Sequence, residues 1–197
     1  MKSVKQLPEG YRPLRQIDLQ ADRRAFWIVN GLALAILVAL AAAGALMVPL
    51  ETVFSANGVG EFVAKAVVMI VGSIAYIVGH EWVHGIFMKY FSDAKVSYGF
   101  TGLYAYAGSS AYFCKRHYRI IALAPVVLWG VLLAALNLLL PQEWFWPIYF
   151  IQMTNLSGAA GDLYVSLVLK KYPPEILIQD SGIAMTIYGC GGRAEGV

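Results

Sequence analysis

The sequence predicts a mainly α-helical, polytopic membrane protein. Four transmembrane helices, a short β-hairpin segment between the second and third, and a short C-terminal hairpin account for residues 1–197 as a single integral-membrane domain. Three observations point to this class. Charged residues make up 14% of the chain and hydrophobic residues 59%, whereas a soluble domain carries about 25% charged residues. Four apolar runs have the length of roughly 20 residues that a helix needs to cross the hydrocarbon core. Lysine and arginine gather in alternate connections between those runs.

The elements follow in order. Residues 1–24 are mostly polar, hold Lys2, Lys5, Arg12, Arg15, Arg23 and Arg24, and read as a cytoplasmic segment. The first span covers 25–50, interrupted by Asn30 alone. It is longer than the apolar core of a signal peptide and follows a polar segment, so it reads as a retained span. The loop from Glu51 to Glu61 has no lysine or arginine, and the second span, 62–91, carries Lys65 near its start. The next connection is basic again, with Lys89, Lys95, Lys115, Arg116 and Arg119. Within it, residues 95–115 are rich in Tyr, Phe and Gly, with patches of alternation, and read as two or three short strands joined by glycine turns.

The third span is 120–140, and the turn from Pro141 to Glu143 again lacks basic residues. The fourth is 144–169, opened by Trp144 and Trp146 as an interfacial belt. Lys170 and Lys171 begin the tail, 170–197. In that tail residues 173–189 read as a hairpin that turns near Asp180 to Gly182, behind a helix-stopping proline pair. The alternating basic bias places both termini in the cytoplasm, and a bacterial cell membrane is the expected location. A net charge of +3 is too mild to suggest nucleic acid as a partner. Cys114 and Cys190, without CxxC spacing, read as free thiols.

The second span holds the sequence VGHEWVHGIF, residues 78–87, with His80, Glu81 and His84 inside an apolar run. An acid near the centre of a membrane helix costs about 2.5–3.5 kcal/mol even on the lenient insertion scale, and spanning a bilayer does not require it. His80 and His84 stand one helical turn apart on the same face. Two imidazoles so placed can ligate one metal, with Glu81 as general base toward a water. Zinc is the usual metal for this pattern. The alternative is chance, but two of the chain's three histidines fall in the motif.

A catalytic zinc ordinarily takes a third protein ligand. His117 lies among Lys115, Arg116 and Arg119 and reads as part of a solvated cytoplasmic patch, while Cys114 and Cys190 lack supporting context. Asp162, in TNLSGAAGDLYV, is an acid inside the fourth span. It could pair with a neighbouring helix, but a metal is the available cation, so the ligand reading is favoured. Depth agrees. His80 and His84 lie nine and five residues before Lys89, and Asp162 lies eight before Lys170. At about 1.5 Å per residue all three sit roughly 7–14 Å inside their cytoplasmic helix ends. Gly72, Gly79, Gly158 and Gly161 are expected to allow close helix approach. Asn155 shares Asp162's face two turns earlier, and reads equally as an oxyanion donor or as interhelical glue.

Taken together, these residues resemble the site-2 protease class of intramembrane metalloproteases. The chain is most similar to the small bacterial membrane proteins grouped as zincin peptidases. The likeness rests on His80-Glu81-Trp82-Val83-His84, the Tyr/Gly-rich strand segment, Ala124-Pro125 in the third span, Asn155, and Gly161-Asp162. The chain departs from better-known members in two places. Gly161-Asp162-Leu163 stands where they carry Leu-Asp-Gly, and Asn155 is followed by Leu156 where they carry Pro. The resemblance implies a zinc-dependent peptidase acting on a membrane protein or peptide, with His80, His84 and Asp162 as ligands and Glu81 as base. Residues 95–115 could hold an unwound substrate by edge pairing or serve as a structural hairpin. Two other classes compete. A zinc-binding adaptor without proteolysis would not need Glu81. A metal transporter would need polar residues along a whole pathway, and the outer halves of the spans nearly lack acids and histidines.

Overall fold

The computed structural model describes residues 3–102 and 104–190. Its elements are β1 (Tyr11–Asp18), α1 (Arg23–Met47), α2 (Val59–Phe91), β2 (Val96–Phe100), β3 (Ala105–Ser109), β4 (Tyr112–Cys114), α3 (Lys115–Leu139), α4 (Phe145–Gly158), α5 (Ala160–Val168), β5 (Leu177–Asp180) and β6 (Ala184–Cys190). The protein is therefore mainly helical with small antiparallel sheets.

Three helices, α1, α2 and α3, are long and apolar enough to cross a membrane. Their large apolar side chains point outward: Leu46 is 89% exposed and Leu138 84%. Such surface is costly in water and natural in lipid, where a helix satisfies its own backbone. The run expected as a fourth span is divided. It forms α4, of 14 residues, and α5, of 9, which meet at Ala159. Each is shorter than the roughly 20 residues of a straight crossing.

The chain divides into two compact units. One takes in Asn30–His80 and Val126–Ala160. It is all helical, with one apolar cluster of Val48, Phe145, Trp146, Tyr149 and Met153 and another of Tyr76, Leu133, Ile148 and Ile151. Gly72 and Gly79 are close-packing positions, as expected: an added methyl would strike the Ile151 side chain at the first and the Trp129 ring at the second. Near the start of α2, Lys65 is 3% exposed. It pairs with Glu61 at 2.8 Å, and the Asn57 N–H donates to the same carboxylate at 2.9 Å. The buried charge is thereby neutralised by a partner one turn away.

The other unit takes in the chain up to Val29, Glu81–Pro125, and the chain from Gly161 on. A four-stranded antiparallel sheet, in the order β1-β6-β5-β4, lines its core. Phe113, Ile121, Leu169, Ile176, Ile178 and Ile187 fill that core. The N-terminal segment is thus an edge strand and not merely a polar leader to the first span. Its register runs from Tyr11 opposite Cys190 to Asp18 opposite Ala184, with an irregularity between Pro13 and Arg15. Proline has no N–H to give a ladder, and an edge with a bulge accommodates it. The expected C-terminal hairpin is present as β5 and β6, turning through Ser181 to Ile183. Residues 95–115 form three strands: β2 and β3 make a separate two-stranded sheet, and β4 joins the larger one. Since β4 ends at Cys114 and α3 begins at Lys115, the third helix starts earlier than its apolar run suggests.

Candidate metal centre

Helix α2 carries the histidine motif, and its regularity brings the two imidazoles to one face. Both side chains are buried, His80 at 7% and His84 at 9% exposure. Each is held through its Nδ1 atom. His80 Nδ1 lies 2.9 Å from the Tyr76 hydroxyl. That hydroxyl is also 3.4 Å from the Asn155 carbonyl, which can only accept. The hydroxyl can donate to that carbonyl while accepting from His80 Nδ1–H. His84 Nδ1 lies 2.9 Å from the Ile121 carbonyl, so there Nδ1 carries the hydrogen. Nδ1 donation to these acceptors would leave Nε2 of each ring as the nitrogen open to a metal. A partner at Nδ1 is what orients a histidine whose Nε2 binds a metal.

Asp162 comes to the same place. It sits in the first turn of α5, where the helix dipole favours a carboxylate. Its Oδ1 lies 3.5 Å from His84 Nε2. One ligand-type atom from each of His80, His84 and Asp162 falls within 4.8 Å of the others. Two imidazole nitrogens and one carboxylate oxygen suit zinc in chemistry and number, and leave a position for water or substrate. Gly161 and Gly158 take a different part from the one expected. A methyl added at either meets nothing within 4 Å, so neither is a close-packing site. They flank the division between α4 and α5 that puts Asp162 at a helix start.

Glu81 is half-buried next to His80, and the Ala107 backbone N–H donates to its carboxylate. The β2–β3 ladder explains that bond. Thr101 N–H bonds the Tyr104 carbonyl across the turn, and Tyr98 stands opposite Ala107. Bonded pairs alternate along an antiparallel ladder. Ala107 therefore sits at a pair whose backbone groups point away from β2. Gly85 is the close-approach point of this hairpin on α2, since an added methyl would strike the Tyr98 hydroxyl.

The C-terminal hairpin braces the same strand. A methyl on Gly108 would strike the Ser181 backbone, and one on Gly182, whose φ is +86°, would strike the Tyr106 ring. Asp180 locks the turn: its Oδ1 accepts from Gly182 N–H at 2.8 Å and its Oδ2 from the Tyr118 hydroxyl at 2.5 Å. Burial raises the Asp180 carboxyl above the usual carboxylate range, and the nearby Asp162 charge adds to the rise.

The remaining candidates lie elsewhere. Asn155 is fully buried, and its side-chain amide donates to the Val126 carbonyl at 3.3 Å and to Gln152 Oε1 at 3.4 Å. His117 Nδ1 is bonded to Ser3 Oγ at 2.9 Å, and its ring stacks on Phe91. Cys114 is buried, Cys190 is exposed, and both are free thiols. Sequence reasoning did not find Tyr76, Ile121, Ala107 or Asp180. Tyr76 carried a legible signal, a hydroxyl four residues before His80 on one helix. The others depend on contacts distant in the chain.

Comparison with known proteins gives the family of the chain. Residues 73–177 match the model of a family described as "Putative zincin peptidase". A stretch of 117 residues is 31% identical to an uncharacterized 24.7 kDa protein in the gap 5′ region of Pyrococcus woesei. That alignment takes in 57% of this chain and 50% of the relative, so the chain spans about half the length of the protein it matches. No solved structure matches.

Proposed function

This chain belongs to the zincin peptidase family, and from that premise we propose that it is a zinc-dependent intramembrane peptidase that hydrolyses membrane-associated polypeptides. One observation carries the proposal. Both histidines have a hydrogen-bond partner at Nδ1, and one ligand-type atom from each falls within 4.8 Å of one from Asp162. A structural histidine pair would have no need of that common orientation.

His80, His84 and Asp162 would hold the ion. Zinc bound there would polarise a peptide carbonyl and acidify a water. Glu81 takes a proton from the attacking water and passes it to the leaving nitrogen. The Ala107 N–H steadies the Glu81 carboxylate for that exchange. Asn155 serves through its carbonyl, which engages the Tyr76 hydroxyl behind His80, and its buried amide supports the oxyanion only if it leaves Val126 and Gln152. A helical substrate is a poor target because its carbonyls are already bonded. An unwound peptide would add along the edge of β3 that faces away from β2.

The site lies in the cytoplasmic half of the bilayer in this reading. Support comes from the alternating basic residues and from the position of His84, seven residues before the end of α2. Both termini are cytoplasmic, and α4 with α5 together make a broken fourth crossing. Discontinuous helices at membrane depth are found where they line a protein site.

The test is Glu81→Gln beside wild type, assayed on casein and on membrane-spanning peptides in detergent micelles. Gln keeps the shape and can still accept from Ala107, but cannot take a proton. Turnover should fall by at least about 10²-fold, with zinc content held. Equal rates in the two proteins would remove Glu81 from the mechanism. A wild type that binds zinc yet cleaves nothing would favour a zinc-binding adaptor.

A further inference from the structure

Helix α3 holds Pro125 in its interior and continues to Leu139 beyond it. Proline is the residue least suited to that position, because it lacks the N–H that closes the turn. The acceptor deprived of its donor is the carbonyl four residues earlier. That residue is Ile121, whose carbonyl receives His84 Nδ1–H at 2.9 Å. Ile121 is 1% exposed and Pro125 is fully buried, so this carbonyl lies away from the surface. A buried carbonyl without a partner is costly. The missing helix bond and the histidine bond are two sides of one arrangement.

We propose that Pro125 is a positioning residue of the metal centre. By withholding an N–H from Ile121, it reserves that carbonyl for His84 and so holds the imidazole in the tautomer that presents Nε2 to the ion. A helix with alanine at this place would close its own turn, and His84 would compete with a backbone amide for the same oxygen. Prolines in membrane helices are tolerated where a neighbouring group satisfies the exposed carbonyl. Here that group is a metal ligand, which turns a packing concession into control of ligand orientation. The inference rests on His84 as a zinc ligand and not on peptide cleavage.

The experiment compares two replacements with the same side chain. Pro125→Ala introduces the N–H. Lactate at position 125, incorporated as the α-hydroxy analogue of alanine, gives an ester that has no N–H. Zinc affinity is measured by chelator competition in detergent micelles, and the His84 Nδ1–H hydrogen bond by ¹H–¹⁵N NMR of the zinc-loaded protein. Pro125→Ala should weaken zinc binding about 10-fold, the lower end for loss of a ligand's outer partner. It should also weaken the His84 Nδ1–H hydrogen bond, read as an upfield shift of that proton. The lactate protein should keep the wild-type affinity and Nδ1–H shift, although it too lacks the proline ring. Equal weakening in both would overturn the proposal and leave Pro125 a packing role. Wild-type affinity and Nδ1–H shift in Pro125→Ala would overturn it as well, since the carbonyl would then serve both donors. Absence of cleavage by wild type would count against the peptidase reading alone, because neither readout involves turnover.

Discussion

The outer partner of His80 offers a sharp perturbation. Tyr76→Phe removes one oxygen from a residue that is 4% exposed. The ring remains, still edge-on to Trp129 at 5.7 Å and packed with Leu133, Ile148 and Ile151. What disappears is the acceptor 2.9 Å from His80 Nδ1 and the longer bond at 3.4 Å to the Asn155 carbonyl. The second loss is ordinary and costs about 0.5–1.5 kcal/mol of folding stability. The first acts on metal binding. His80 then either keeps an unsatisfied buried N–H, at about 1–3 kcal/mol, or moves the proton to Nε2, the atom the ion needs. Loss of such a partner typically lowers metal affinity 10–100-fold, or about 1.4–2.8 kcal/mol at 1.4 per decade. Chelator competition should therefore show zinc affinity at least about tenfold weaker in Tyr76→Phe. Melting of the metal-free proteins reports the folding cost separately, at most about 4.5 kcal/mol for the two losses together. Unchanged zinc affinity would refute the reasoning that Tyr76 fixes the His80 tautomer.

Three further outcomes are expected. Wild type should bind about one zinc per chain, and Asp162→Ala should hold much less at the same free zinc; equal content would return Cys114 or His117 to consideration. Asp180→Asn should show a pH-dependent gain in stability. The native carboxyl is raised by burial, so the folded state binds the proton more tightly than the unfolded state. Native stability in wild type then falls as pH rises from the usual carboxylate range through the raised native value, and stays lower above it. The melting difference between variant and wild type should grow across that window and be flat outside it; a gap that shrinks with rising pH would contradict the sign. For topology, a cysteine placed at Asn57 should react with an impermeant thiol reagent from outside intact cells, and one at Arg12 should not; the reverse pattern would put the metal centre near the outer face.

Much of the protein was legible in the sequence because the relevant physics is local. Hydropathy along α1, α2 and α3 marks helices that lipid can solvate. The spacing of His80 and His84 depends only on helical periodicity, and so did the expectation that they share a face. The depth comparison with Asp162 used nothing but rise per residue, and the three side chains do converge. The hairpin around Asp180 to Gly182 followed from turn chemistry, and Gly182 does take a positive φ there.

Other features were decided by the tertiary structure. The polar segment from Tyr11 to Asp18 becomes a strand because β6, at the far end of the chain, offers it an edge. The fourth apolar run divides at Ala159, and hydropathy is blind to that break because both pieces are equally apolar. Asn155 had two sequence readings, and its buried amide is engaged with Val126 and Gln152. The partners behind the ligands, Tyr76 for His80 and Ile121 for His84, carry no signature of their own in a single chain. A hydroxyl or a carbonyl is present at every turn of sequence; which one meets an imidazole Nδ1–H is set by helix contacts across tens of residues. Residue type and periodicity gave the ligands their common face. The groups that meet their Nδ1 atoms are ones that only packing brings within 3 Å.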